Sequence, residues 1–235
     1  MKKPLCLITG AGAGTGKAVA ERFSEGGYRV ALIARDPERL NAMEQDIEDA
    51  RGFPCDVGDL DAFNNTLDEV FREMGTVSVA VHNAVMGRPF STILDADPKV
   101  FEQQFRVNTT SFMVLAQRVA PGMIEIRKGS ILVTGNTAAW RGKANFSMFA
   151  PTKAAQRILA ESMARDLGPR GIHVAHFTID AAIDTPWTRP HIHPDKPDDF
   201  FTKPSGIADT MFYIAHQEPS AWTFSLDLRP SSEIW

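Results

Sequence analysis

The chain has 235 residues, 43% of them apolar and 23% charged, with a formal net charge of −4. That is enough to bury one sizeable core, and the weakly acidic balance offers neither a basic track for nucleic acid nor a basic amphipathic segment for an anionic membrane. The opening MKKPLCLITG holds fewer than ten apolar residues before glycines break it, too short for a signal core or a span, so export is not expected and a cytoplasmic location is.

Short apolar runs alternate with amphipathic stretches along the whole chain. The runs at Leu5–Thr9, Arg29–Ala34, Val77–His82, Ser130–Thr134, Ile172–Ile179 and Thr223–Leu228 read as strands, with a further short strand before Cys55. Several are apolar on both faces, as strands covered by helices on both sides must be. Between them, Gly16–Ser24, Pro37–Asp49, Asp59–Met74, Pro98–Val119, Pro151–Leu167 and Ser205–His216 carry apolar residues at helical spacing. The alternation predicts an α/β fold: a doubly wound parallel sheet of Rossmann type, helices on both faces, with right-handed crossovers. No linker, repeat or composition shift divides the chain, so residues 1–235 are expected to form a single domain. Cys6 and Cys55 form no CxxC and no ligand-like spacing to histidine, which predicts a reduced protein without a structural metal.

The first strand ends in Thr9-Gly10-Ala11-Gly12-Ala13-Gly14-Thr15-Gly16, and a helical pattern follows without a break. A strand, a turn free of Cβ atoms and a helix N-terminus together let backbone N–H groups and the helix dipole face a pyrophosphate. A mere tight turn is the bland alternative.

At this point the chain resembles the short-chain dehydrogenase/reductase family, whose first turn reads Thr-Gly-x-x-x-Gly-x-Gly, and the resemblance extends along essentially all of the sequence. Asp56-Val57 is similar to the family's pair that contacts adenine, and His82-Asn83-Ala84-Val85 to its Asn-Asn-Ala-Gly, with two of four positions replaced. Asn108 matches the helix asparagine of the family's catalytic group. Lys153 matches the catalytic lysine that anchors the nicotinamide ribose. Asp180 to Thr185 occupies the place of Pro-Gly-x-x-x-Thr beside the nicotinamide, which puts Ile183 and Thr185 near the cofactor. The resemblance implies a nicotinamide dinucleotide held by Gly10, Gly12, Gly14, Thr15, Gly16, Asp56, Val57, Asn83 and Lys153. It also implies a homodimer or homotetramer built through the long helices around Pro98–Val119 and Pro151–Leu167.

Cofactor choice turns on the end of the second strand. An acidic side chain there binds the ribose hydroxyls and repels a 2′-phosphate. Here Ala34 precedes Arg35, and a guanidinium can form a charge-assisted fork with a phosphate, so NADP(H) is expected. If Arg35 only pairs with Asp36 or Glu38 on the surface, NAD(H) would compete.

The chemistry departs from the resemblance. The family's proton donor is a tyrosine four residues before the lysine, assisted by a serine about thirteen residues earlier; here these places hold Phe149 and Asn136. The catalytic group therefore reads Asn108, Asn136, Phe149, Lys153. Phenylalanine has no ionisable proton, whereas asparagine can still donate a hydrogen bond to a carbonyl oxygen. Neither Tyr28 nor Tyr213 has a lysine four residues on, so no shift of register restores the pattern. Ser147, Thr137, Asp184, His191 and His193 are the local candidates for a substitute acid. Two functions remain: an NADP(H)-dependent oxidoreductase on a small carbonyl or alcohol that is not identified, or a nucleotide-binding protein without turnover, acting as a sensor or assembly subunit.

His191-Ile192-His193 sits in a Pro-rich stretch whose spacing matches no metal ligand set, and reads as a mobile lid. His173 and His176 fall on opposite faces of a strand and read as packing or surface residues. Ile234 and Trp235 at the end of the sequence suggest a subunit contact.

Overall fold

A computed structural model describes residues 3–87 and 89–233; the expected contact at Ile234 and Trp235 lies outside them. Seven strands form one parallel sheet in the order β3-β2-β1-β4-β5-β6-β9. They are β1 (Leu5–Thr9), β2 (Arg29–Ala34), β3 (Ala50–Pro54), β4 (Val79–His82), β5 (Gly129–Asn136), β6 (Ile172–Ile179) and, at the edge, β9 (Ser225–Leu228). A separate two-stranded pair, β7 (Ala182–Ile183) and β8 (Phe201–Thr202), lies in the segment after β6. The expected doubly wound fold is therefore present.

Alternation along each strand builds two cores. Leu5, Leu7, Ala31, Ile33, Ile131 and Val133 face α3 (Leu60–Met74) and α5 (Ser111–Glu125). Cys6, Ile8, Val30, Leu32, Leu132 and Phe177 face α1 (Thr15–Glu25) and α8 (Pro204–Ala215). Each fully buried aliphatic side chain contributes about 1.5–3 kcal/mol, so both faces of the sheet are committed to packing. What remains free is the rim of loops at the strands' carboxyl ends.

Several helix boundaries differ from the pattern, each for a visible reason. The helix α2 (Pro37–Asp46) stops three residues short of Asp49: Ile47 is extended and buried, Asp49 takes φ +57°, and the chain turns into β3. The long helix expected from Pro98 is interrupted. α4 (Pro98–Phe105) runs into a π turn at Arg106–Thr110, and α5 resumes at Ser111. Asn108 lies inside that turn and bonds with its side chain to both backbone groups of Met86. The helix α6 (Phe149–Leu167) starts two residues before Pro151, which sits in its first turn, where the missing N–H costs nothing. The short α7 (Thr188–Ile192) completes the set. Among the described residues, no helix is long and apolar enough to cross a membrane.

Two strand histidines are sealed in the interior. His82 places Nδ1 3.0 Å from Thr9 Oγ1, and His176 packs its ring against the Cα of Gly135. Burial pushes both imidazoles down to about 3. In the unfolded chain each binds its proton near 6.5, so between about 6.5 and about 3 the unfolded state holds the extra protons and stability is lost as pH falls. In thermal melts across that window, His176→Leu is expected to show a shallower acid decline of Tm than the natural chain; parallel curves would show that His176 does not contribute to the slope.

Candidate functional site

The carboxyl ends of β1 to β6 open on one cavity of about 2150 Å³. Its walls are supplied in chain order by Gly10 and Gly12 after β1, Arg35 after β2, Asp56 and Val57 after β3, Asn83 after β4, Asn136 at the end of β5, and Asp180 after β6. In an open parallel sheet this crevice is where ligands bind.

The glycine turn forms one end. Gly10 has φ +71°, and a Cβ there would lie 2.5 Å from the Ala84 nitrogen; a Cβ on Gly16 would lie 2.4 Å from the Gly10 carbonyl oxygen. Both positions therefore exclude side chains on steric grounds. Gly12 differs: a Cβ there would meet nothing closer than the Gly10 carbonyl oxygen at 3.9 Å, and the residue fronts the cavity. The helix α1 has no side-chain cap and no acidic residue in its first turn, whereas Asp36, Asp59 and Asp97 cap α2, α3 and α4. Its leading N–H groups are free of a competing carboxylate, which fits an anionic group at that end. Asn83 braces the turn, with Nδ2 donating to the Gly10 carbonyl at 2.9 Å and Oδ1 accepting from Thr134 at 3.2 Å.

Arg35 is exposed on the cavity wall and makes no ion pair among the described residues. Asp36, one of its alternative partners, instead pairs with Arg39 at 3.1 Å. Arg39 also borders the cavity and was not visible as a site residue in the sequence, where its helical position suggests only a solvated face. Asp56 accepts from the Gly58 amide at 2.9 Å, closing a tight turn that holds Val57 against the wall.

At the opposite end, Asn136 Oδ1 accepts from the Ala138 amide at 3.0 Å, and its amide hydrogens have no partner among the described residues. Phe149 presents its ring to the same space, 5.7 Å from Phe90 and 5.8 Å from Phe146. Phe90, Phe146 and Phe149 together form an aromatic wall at this end. Lys153 and Asn108 do not line the cavity. Lys153 is fully buried, its ammonium donating to the Thr134 carbonyl at 2.9 Å and to Gln156. Burial pushes this lysine down to about 7. Asn108 is spent on Met86 and on the Thr152 hydroxyl.

The remaining expected residues scatter around the cavity. Gly14 and Thr185 meet at a smaller neighbouring cavity of about 410 Å³, where a Cβ on Gly14 would lie 2.7 Å from the Thr185 methyl. Thr15 and Gly16 are buried in the first turn of α1, and Ile183 packs on the α1/α8 core. Of the substitute acids, Thr137 and His193 border the main cavity. Ser147 donates to the Ser91 carbonyl, and His191 is held at the Trp187 carbonyl. Asp184 receives a two-pronged contact from Arg189 at 3.0 and 2.8 Å, which keeps its carboxyl below the usual range and ionised. Arg189 also reaches Asp198 at 2.6 Å and lies over the Phe201 ring, pinning the expected lid segment to itself.

Comparison with known proteins places the chain in a family. The family model described as short chain dehydrogenase matches residues 4–193. The 7alpha-hydroxysteroid dehydrogenase of Escherichia coli (strain K12) is 32% identical over 172 residues, covering 72% of this chain and 67% of that protein. Carbonyl reductase (NADPH) 2 of Sus scrofa is 32% identical over 171 residues, with the same two coverages, 72% and 67%. Among solved structures, a short-chain dehydrogenase from Rhodopseudomonas palustris superposes with a TM-score of 0.82 at 27% identity, covering 97% of this chain and 98% of that one.

Proposed function

The chain belongs to the short-chain dehydrogenase family, and from that premise we propose that it binds NADP(H) in the main cavity and acts as an oxidoreductase on a small carbonyl or alcohol. The observation that carries the proposal is continuity: one cavity joins the glycine turn, Arg35 and the Asn136–Phe149 corner. When bound, the reduced nicotinamide would supply a hydride to a carbonyl carbon, and the oxidised form would accept one from an alcohol carbon.

The chain's own residues divide the remaining work. The turn from Gly10 to Gly16 offers its backbone to the diphosphate, and Gly12 leaves room for close approach. Arg35 meets a 2′-phosphate where Ala34 supplies no carboxylate to repel it, and Asp56 with Val57 walls the adenine. Asn83 acts on the cofactor through the Gly10 carbonyl it braces. Thr185 and Ile183 close the loop over the nicotinamide side, with Thr185 seated against Gly14. Asn136 donates a hydrogen bond to the substrate oxygen. The proton travels to that oxygen from His193, from Thr137 or from water, because Phe149 holds none. The carbonyl reductase (NADPH) 2 of Sus scrofa, related at 32% identity, supports the choice of cofactor and reaction. The proposal extends to a homo-oligomer: Met113 on α5 and Ile158 on α6 are exposed apolar residues, while Phe112 is core.

A second reading is favoured by the corner itself. With an aromatic ring at Phe149 and the Lys153 ammonium directed into the interior, the cavity can bind a dinucleotide and lack an acid to complete turnover. One positioned acid contributes about 10²–10⁴-fold, so its loss impairs rate far more than binding.

Three measurements test these assignments. Arg35→Ala is expected to weaken NADPH much more than NADH in fluorescence titration; equal losses would remove the 2′-phosphate role. Gly12→Val is expected to abolish binding of both coenzymes while the melting temperature stays close to that of the natural chain; undiminished binding would place the diphosphate elsewhere. Phe149→Tyr is expected to raise ketone reduction on a broad panel by about 10²-fold with little change in coenzyme affinity, and no gain would favour the binding protein.

A further inference from the structure

Gln156 carries no family motif, yet it occupies the centre of the buried polar layer behind the cavity. It lies three residues after Lys153 on α6, the spacing that places two side chains on one face, and it is fully buried. Its Oε1 accepts from the Lys153 ammonium, and its Nε2 donates to the Asn108 carbonyl at 2.6 Å. Asn108 sits in the π turn between α4 and α5, and its side chain is already committed to Met86 and Thr152. The glutamine amide is therefore held at both ends, and rotating it strands a buried donor, a buried acceptor, or both.

The lysine is held equally firmly. Its ammonium has two acceptors, Gln156 Oε1 and the Thr134 carbonyl, and the side chain one turn earlier, Phe149, offers no oxygen to draw it outward. The cavity is one side chain away: the Thr134 hydroxyl lies 3.2 Å from Asn83 Oδ1, and Asn83 is part of the wall.

We propose that Gln156 is a positioning residue that latches the Lys153 ammonium behind the cavity wall, so that this chain binds its nicotinamide cofactor without a contact from Lys153. The proposal rests on the cofactor reading above for its consequence, and on hydrogen-bond geometry alone for the latch. Without the glutamine, a buried cation retains one acceptor; desolvation then favours swinging the ammonium into the solvent-filled cavity.

The experiment has two arms. In the first, the folded chain without coenzyme is treated with a small amine-acylating reagent, and modification of each lysine is followed by mass spectrometry. Lys153 is expected to react slowly in the natural chain and in Gln156→Glu, which keeps an acceptor for the ammonium. In Gln156→Met, which keeps the volume and removes both polar atoms, it is expected to react at least about 10-fold faster, while exposed Lys99 and Lys143 stay unchanged. Should Gln156→Met fail to fold, Gln156→Leu takes its place. Equal protection of Lys153 in all folded variants overturns the latch.

In the second arm, NADPH affinity is measured in a double-mutant cycle. Lys153→Met is expected to change the Kd by less than about two-fold in the natural background and to weaken it about 10-fold in the Gln156→Met background, the scale of one hydrogen bond to a charged group. A 10-fold loss from Lys153→Met in the natural background overturns the proposal, because the lysine then already meets the cofactor. If the natural chain binds neither coenzyme, the cofactor reading fails, and the acylation arm alone decides the latch.

Discussion

The whole site depends on how closely the backbone after β1 is allowed to pass its neighbours. The Gly10 Cα sits against the backbone of Asn83 and Ala84, and the Gly10 carbonyl oxygen sits under Gly16, at distances that leave no space for a side chain at either glycine. This contact lets β1 and β4 run side by side, turns the chain directly into α1, and leaves the helix N-terminus facing the crevice. If it were loosened, the Asn83 brace, the seat of Thr185 on Gly14 and the floor of the cavity would all lose their reference.

Behind that turn lies a buried polar layer that is unusual for a sheet otherwise packed with aliphatic side chains. Asn83, Thr134, Lys153, Gln156 and Asn108 connect the end of β4, β5, α6 and the π turn through hydrogen bonds that are part-buried at Asn83 and buried from Thr134 to Asn108. Each such bond contributes a net of about 0.5–1.5 kcal/mol, but removing one partner costs about 1–3 kcal/mol because a polar group is then left unpaired. The layer thus fixes geometry more strongly than it adds stability. It also explains how a lysine can persist in the interior beside two neutral histidines: its charge is delivered to a carbonyl and an amide rather than to solvent.

The cavity consequently has two chemical characters. The end bounded by Gly12, Arg35 and Asp56 presents backbone amides and a cation, suited to a polar, anionic ligand. The end bounded by Phe90, Phe146 and Phe149 is aromatic and includes the Asn136 amide, whose hydrogens have no partner among the described residues. The segment after β6 is tied down by Arg189 between Asp184 and Asp198, and its aspartate is consumed as a structural anion rather than left to move a proton.

Much of this was legible in the chain read alone. Strand runs at Leu5–Thr9, Arg29–Ala34 and Ile172–Ile179, the glycine spacing after Thr9, the lack of an acid at Ala34 and the phenylalanine four residues before Lys153 are local properties. They are set by backbone sterics, side-chain period and residue chemistry, which act within a few positions of the chain. The break of the long helix at Arg106–Thr110, the engagement of Asp184, the membership of Arg39 in the wall and the inward direction of Lys153 were decided only by tertiary structure. Each depends on a partner supplied by another element or by a turn whose geometry the pattern does not specify, as Gln156 finds its acceptor 48 positions away at Asn108. A buried polar group must take whichever partner packing brings within reach, and that choice leaves no period in the sequence.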